Sequence, residues 1–516
     1  MRTALFLLLL LAIAAVPGSM LPQRSSDPNG VIQYFDKNPE LARFFDSLQA
    51  FDVFSSAWFS SIYLLLFISL IGCVLPRTAH HLKALRADPP RTPSRLERLG
   101  DYKEVEIAGS DPAVAIAAAH EVLRRSRYRV RVFGGPSPSV SAERGYLRES
   151  GNLVFHSALV GVLIGVGVVG SYAYTGQKVL IEGQPFVNVL SDYSSFNQGR
   201  NFDESMLTPF HMVLNDFAVT YESQNFNAYG FPIDYTADVT ISTPDGVRAH
   251  GEVKVNHPLP VVGYDVFLLG NGYAPRITVR DGEGDIAFSD TIPFLPQDAN
   301  LTSLGVVKVP DAAPTPLGMI GFFYPTAAEL PSGALTSVHA DLRNPILTLN
   351  VYTGDLGLDE GIPRSVYQLD TDAMTQVVGG DSGVKAIGLR PGESATLPDG
   401  LGTVTFELAE APPTSDEMTD TGAQFGSVLR FATFDITHDP SRIWVLLFGT
   451  LATAGLLVSL FVPRRRVWIK ATQIRPGTLR LQYAALSRGH DPTLPTALAV
   501  LEERHSQQLT TSREHL

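Results

Sequence analysis

The chain has 516 residues, one cysteine, 40 Lys/Arg against 52 Asp/Glu, and a formal net charge of −12. A lone cysteine excludes a disulfide framework and a CxxC thiol-exchange mechanism within the chain. The net charge averages two opposite populations and so carries no argument for nucleic acid, and four apolar runs exclude a purely soluble protein.

The first apolar run is 4–20. Met1-Arg2 before it and Ala14-Ala15 near its end resemble a secretory signal peptide, but its length also suits a short first spanning helix. Residues 21–56 predict an outer loop with a turn at Ser25–Gly30. Asn38–Phe51 predicts a short amphipathic helix with Leu41, Phe44, Phe45 and Leu48 on one face, suited to the membrane interface with Phe54, Trp58 and Phe59. Residues 57–75 are long enough to span, and Pro76 is expected to stop that helix.

Residues 77–152 read as a small β-α-β-β module. Val105–Ile107 is a strand, Pro112 opens a helix to Arg125, Tyr128–Phe133 alternates as a strand, and another short strand follows Gly134–Pro138. Arg124, Arg125, Arg127, Arg129 and Arg131 form one basic side, expected to meet anionic lipid headgroups, with a haem propionate as the alternative. His80-His81 read as interfacial residues, or as guides for an arriving cofactor.

Residues 153–173 form the third span, and 443–462 the fourth. Between them, 175–440 predict an antiparallel, sandwich-like β-rich domain. A hairpin is expected from Tyr235–Ile241 and His250–Val255 around Thr243–Gly246. Asp265–Leu269 and Arg276–Arg280 read as the next pair, followed by a turn at Asp281–Gly284 into Ile286–Phe288. Ile346–Val351, Tyr367, Val377-Val378 and Gly402–Leu408 continue the pattern, and Pro412–Thr421 is a polar loop. His211, His250, His257, His339 and His438 are not paired at metal-ligand spacing and read as surface or turn residues. Residues 463–516 read as a tail, polar and disordered after about 485.

Charge sets the direction. Segment 77–152 holds 14 Lys/Arg against 9 Asp/Glu, the segment after 462 holds 9 against 4, and segment 173–440 holds 12 against 34. Arg77, Lys83, Arg86 and Arg464–Arg466 sit at span ends, which puts 77–152 and 463–516 in the cytoplasm. The acidic domain is then extracytoplasmic. With 4–20 retained as a span, the fold is a plasma-membrane protein with four transmembrane helices, a small α/β cytoplasmic module and both termini inside.

No HExxH, GxSxG, P-loop or EF-hand pattern occurs. The residue that stands out is His156, an ionisable group inside the third span, where burial costs free energy and function is the default hypothesis. Cys73 lies three residues inside the second span and His156 four residues inside the third, so both sit roughly 5–6 Å below the cytoplasmic surface of the apolar slab. Both are haem-iron ligand types. Cys73 also suits a small apolar filler, and His156 a helix-packing hydrogen bond. Gly161, Gly165, Gly167 and Gly170 leave room for a flat macrocycle or a partner helix.

Five strings carry a resemblance: FSSAWFSSIYLLLFISLIGCVLPR (54–77), ERGYLRESGNLVFHSALVGVLIGVGV (143–168), GQKVLIEGQPFVN (176–188), VNHPLPVVGYDVFLLGNGYAP (255–275) and PRRRVWIK (463–470). With the order of spans, they resemble the ResB family, the CcsB-type subunit of System II cytochrome c maturation, over about 4–472. The resemblance implies a haem relay with no catalysis by this chain alone. It implies transient haem b, a CcsA/ResC-type multi-span partner bearing the WWD motif, and attachment of haem to CXXCH motifs of apocytochrome c. It makes His156 an axial ligand of the haem iron and Cys73 a possible haem contact. It also implies a longer N-terminus than this one. The rival reading is a membrane-anchored sensor or scaffold with a ligand-binding outer β domain; a transporter acting alone is disfavoured by one ionisable residue in four spans.

Overall fold

The apolar runs become helices because hydrocarbon offers no partner for backbone N–H and C=O groups, and a helix pairs them internally. The computed structural model describes residues 2–108, 111–222, 224–225, 230–358, 367–408, 428–489 and 491–514, in two compact units, Met1–Gly170 with Pro440–Leu516 and Ser171–Asp439. The loop expected at Pro412–Thr421 lies outside the described residues.

The first unit opens with α1 (Arg2–Met20), whose apolar part Leu5–Met20 is shorter than a full span. The turn expected at Ser25–Gly30 ends early: Asp27 caps α2 (Pro28–Lys37) by accepting from the Gly30 N–H, with Pro28 in the first turn. In α3 (Pro39–Ser47) the buried residue is Ala42, while Leu41 and Phe44, and Leu48 just beyond, remain exposed. α4 (Ala57–Arg86) does not stop at Pro76 but runs ten residues past it. Proline removes a single N–H, that which would bond the Gly72 carbonyl, and the flanking turns hold the helix together.

α5 (Pro112–Arg125) ends in a Schellman turn with Arg127 at φ 59, where the Tyr128 N–H reaches the Leu123 carbonyl and both side chains are buried. α6 (Leu147–Ile164) widens into a π-turn over Gly165–Val169 and tightens over Gly170–Tyr172. α7 (Arg442–Phe461) follows in the chain only after the second unit. Among the described residues three helices, α4, Leu147–Tyr172 and α7, are long and apolar enough to cross a membrane.

Residues 486–489 and 491–514, in the stretch expected to be disordered, are ordered. Strands Arg464–Arg475 and Thr478–Arg488 form a hairpin, and α8 (Leu494–Glu514) packs back on it. These strands complete a five-stranded antiparallel sheet in the order 101–108, 478–488, 464–475, 139–144, 129–133. The β-α-β-β elements of 77–152 are all present, but strand Asp101–Ala108 reaches its neighbours only through the hairpin of 464–488. The core joins Ile116 and Leu123 of α5, Val140, Ile469, Tyr483, and Leu494 and Leu498 of α8. Tyr483 donates to His505 Nδ1 at 2.7 Å, and His505 Nε2–H donates to the Ala115 carbonyl at 2.8 Å, pinning α8 to sheet and α5.

The second unit is β-rich, with every ladder antiparallel. One core, with Phe186, Phe210, Phe217 and Phe434, lies between a sheet containing 174–181, 429–438 and 264–274 and a sheet containing 211–221 and 232–242. A second core, with Phe294, Phe323, Leu349 and Phe406, joins strands 303–309, 317–324 and 346–354 to strands 276–280 and 403–406. The hairpin around Thr243–Gly246 forms as Pro232–Ser242 with Arg248–Lys254, and Gly246 supplies the positive φ. Strands 264–274 and 276–280 are not partners. The first pairs with 429–438 and the second with 286–291 and 403–406, because Pro275 separates them by one residue, too few for a hairpin. Tyr367 lies in a turn, not a strand.

Candidate functional site

His156 sits about two and a half turns into α6, half-buried. Its Nδ1 lies 2.8 Å from the Asn152 carbonyl oxygen. A carbonyl only accepts, so Nδ1 carries the proton and Nε2 keeps the lone pair. Nε2 has no hydrogen-bond partner among the described residues. A ring N–H held by a backbone carbonyl, with the other nitrogen left free, is the tautomer a metal-ligating histidine uses. Phe155 meets the ring edge-on at 5.0 Å.

Cys73 is a free thiol on α4, half-buried. The register between the two helices follows from polar contacts. Arg77 on α4 donates to the Asn152 side-chain oxygen on α6 at 3.1 Å, and His81 Nε2 lies 3.0 Å from Ser150 Oγ. Cys73 is four residues inside Arg77 and His156 four residues inside Asn152, about 6 Å along each helix, so they share one level. No hydrogen bond joins them among the described residues, and no cluster of three or more His, Cys, Asp or Glu suited to a metal occurs there.

The glycines of α6 and its π-turn do not leave an open gap. A Cβ at Gly161 would run into the Phe448 ring of α7, and one at Gly167 would lie 3.1 Å from the Tyr63 ring of α4. Gly151 and Gly455 face each other so closely that a Cβ on either would lie 2.7 Å from the other's carbonyl oxygen. The chain's own helices use the space, Tyr63 reaching the Leu163 carbonyl beside the π-turn. His156 is one residue on from Phe155, about 100° round α6 from the stripe that meets α7, so its ring is not part of that close packing.

At the foot of α6 lies a polar cluster that the residue patterns did not disclose. Arg464 and Arg488 are direct cross-strand partners, an arrangement of like charges that is unfavourable unless bridged. Glu149 of α6 bridges them, pairing with both guanidiniums. Glu143 accepts from Arg464 Nε at 2.8 Å, Arg466 Nε at 2.9 Å and the Tyr146 hydroxyl at 2.8 Å. Burial alone would raise the Glu143 carboxyl; Tyr146, Arg466 and Arg464 outweigh it and hold it below the usual carboxylate range. His81 Nδ1 lies 3.5 Å from Glu149. The hint was present in ERGYLRES, where Glu143 and Glu149 flank the entry to an apolar span and face an Arg triplet far along the chain.

Other expectations shift. Arg464 and Arg465, read as basic residues at a span end, are almost fully buried in ion pairs, Arg465 with Asp491 at 2.7 Å. Within the basic side, Arg129 instead binds the end of α4, donating to the Leu85 and Ala87 carbonyls at 2.6 and 3.1 Å, and Arg131 pairs with Asp88. His81 is buried while His80 is exposed. His339 and His438 are not surface turn residues: both are half-buried, His438 stacking on Tyr174 at 5.0 Å and His339 packing on Tyr221 at 5.1 Å.

A model of the ResB-like family matches residues 1–499. Proteins named cytochrome c biogenesis protein CcsB are similar to this chain. That of Synechococcus sp. strain WH7803 is 26% identical over 288 residues, covering 55% of this chain and 61% of that protein. That of Paulinella chromatophora is 30% identical over 303 residues, covering 55% and 63%. That of Prochlorococcus marinus strain NATL2A is 24% identical over 272 residues, covering 52% and 58%. The chain thus spans about three-fifths of the length of the curated relatives it matches.

Proposed function

The chain belongs to the ResB-like family, and from that membership we propose that it is the CcsB-type subunit of a cytochrome c maturation complex, carrying haem as cargo across the membrane. The observation that carries the proposal is His156, a histidine within an apolar span whose Nδ1–H is fixed by the Asn152 carbonyl and whose Nε2 is left with its lone pair. An axial bond from Nε2 would hold haem at this level while a multi-span CcsA-type partner supplies the opposite ligand and the outer site. Covalent attachment to apocytochrome c is then chemistry of the complex. Cys73, at the same level on α4, is a candidate neighbour of the macrocycle rather than an iron ligand.

In this reading α1 is a fourth span. The positive charge of 77–152 and 463–516 keeps the α/β module and both termini in the cytoplasm, and the acidic β-rich unit lies outside, where it would dock partner and apocytochrome. The relatives' printed name, cytochrome c biogenesis, supports the assignment.

The test is haem content and cytochrome c maturation of the membrane-extracted complex. His156→Ala is expected to lose the haem absorbance, and added imidazole to restore part of it by filling the ligand position. Unchanged haem content and unchanged maturation in His156→Ala would remove the ligand assignment.

A further inference from the structure

We propose that the arginine-lined cavity where α7 meets the sheet binds the phosphate of an anionic phospholipid. The cavity measures about 430 Å³ and is lined by Arg464, Arg466, Leu486, Ser487, Arg488 and Gly489. Arg148 closes over Gly489, where a Cβ would lie 3.0 Å from its guanidinium, and donates to the Arg488 carbonyl. Three guanidiniums, of Arg464, Arg466 and Arg488, converge on two carboxylates, Glu143 and Glu149, and Arg148 adds a fourth positive charge beside them. The four positive charges exceed the two carboxylates by two, at a wall where the Ser487 hydroxyl is buried with no hydrogen-bond partner among the described residues. Planar guanidiniums in such a set suit a tetrahedral, multiply charged oxyanion better than another ammonium or a neutral group.

Position decides for a lipid over a free anion. Arg464 follows the last residue of α7, Phe461, by three positions, so the cavity lies at the end of an apolar span. Large apolar side chains around it stay exposed: Leu460, Phe461, Leu147 and Leu486. An exposed apolar rim beside a cationic recess matches acyl chains below a phosphate. The guanidiniums that face outward are those of Arg466 and Arg488, 40% and 72% exposed, whereas Arg464 is consumed in its ion pairs.

The experiment uses the full chain in detergent micelles doped with phosphatidylglycerol or phosphatidylcholine, with bound lipid read by native mass spectrometry. Wild type is expected to retain phosphatidylglycerol in preference to phosphatidylcholine. Arg466→Gln with Arg488→Gln is expected to weaken that retention about 30-fold, from the two charges removed near the surface. Arg466→Lys with Arg488→Lys, which keeps the charge but not the fork, should recover part of it. Because both side chains are exposed and Arg464 keeps its partners, the Gln pair should fold, and an unchanged far-ultraviolet spectrum checks this. Equal retention of the two lipids, or retention unaffected by the Gln pair, overturns the proposal. So does displacement of phosphatidylglycerol by inorganic phosphate at comparable concentration, which would make the ligand a free anion. Loss of haem from the complex with lipid retention intact would assign the arginines to haem carboxylates instead.

Discussion

Replacing Glu143 by Ala should destabilise the first unit by about 3 kcal/mol, the lower end of the range for removing one partner of a buried ion pair. The Glu143 side chain is 3% exposed and that of Arg464 9%. Its carboxylate accepts from Arg464 at 2.6 and 2.8 Å, from Arg466 at 2.9 Å and from Tyr146 at 2.8 Å. Truncation strands a buried guanidinium and a phenol together. Arg464 keeps Glu149 as a second partner, which is why the lower end applies. Glu143→Gln retains one acceptor oxygen and should cost about 1–3 kcal/mol. Glu106→Ala is the control: Glu106 is 56% exposed beside Arg480, and a surface pair is worth under about 1 kcal/mol. The assay is unfolding of the full chain in mixed micelles by titration with sodium dodecyl sulfate, followed by circular dichroism. If Glu143→Ala costs no more than Glu106→Ala, the cluster is not the buried clamp described above. The pH dependence has a definite sign. The folded-state pKa of Glu143 is depressed, so its contribution is complete above the ordinary value of 4.5 and is lost as pH falls through the lower folded value. Glu143→Gln should flatten stability in that acid range.

Gly455→Ala should loosen α6 from α7 by about 1–3 kcal/mol, because its Cβ would meet the Gly151 carbonyl and the Phe155 backbone at 2.7 Å, while Gly449→Ala meets nothing within 4 Å and should be silent in the same titration. Burial holds His505 below its ordinary 6.5, against the opposing pull of the Ala115 carbonyl. Its contribution is therefore present above about 6.5 and declines as pH falls below that value, and His505→Gln should remove this slope from a stability-versus-pH series. Arg129→Ala should fray the end of α4 by about 0.3–1 kcal/mol, read as faster amide exchange over Lys83–Ala87; exchange unchanged there would contradict the capping role.

Much of the fold is legible because it is written in local periods. Three apolar runs of bilayer length, the turn residues of Thr243–Gly246, and Pro112 at the start of α5 each act within a few residues, and each forms as read. Pro76 misleads for a physical reason: one missing N–H in a thirty-residue helix with good turns on both sides costs less than ending it. Strands 264–274 and 276–280 mislead because adjacency in sequence is not adjacency in a sheet when one proline separates them. At the site, His156 is conspicuous from its residue type and depth alone. Its tautomer is not, since that depends on the Asn152 carbonyl one turn away.

By itself the sequence determines the apolar runs, the charge asymmetry around them, the β-rich character of the acidic segment and the ionisable residue within the run of 153–173. All of these follow from hydropathy and charge, which are additive along the chain. The tertiary structure alone decides that 464–488 completes the sheet begun at 101–144, that Arg464 and Arg488 meet across it, and that Glu143 and Glu149 hold them together. The contacts of Glu143 and Glu149 join residues more than 300 positions apart. No local pattern encodes which strand edge will be free, or which buried charge will need a partner, until the helices have brought both ends of the unit to the same place.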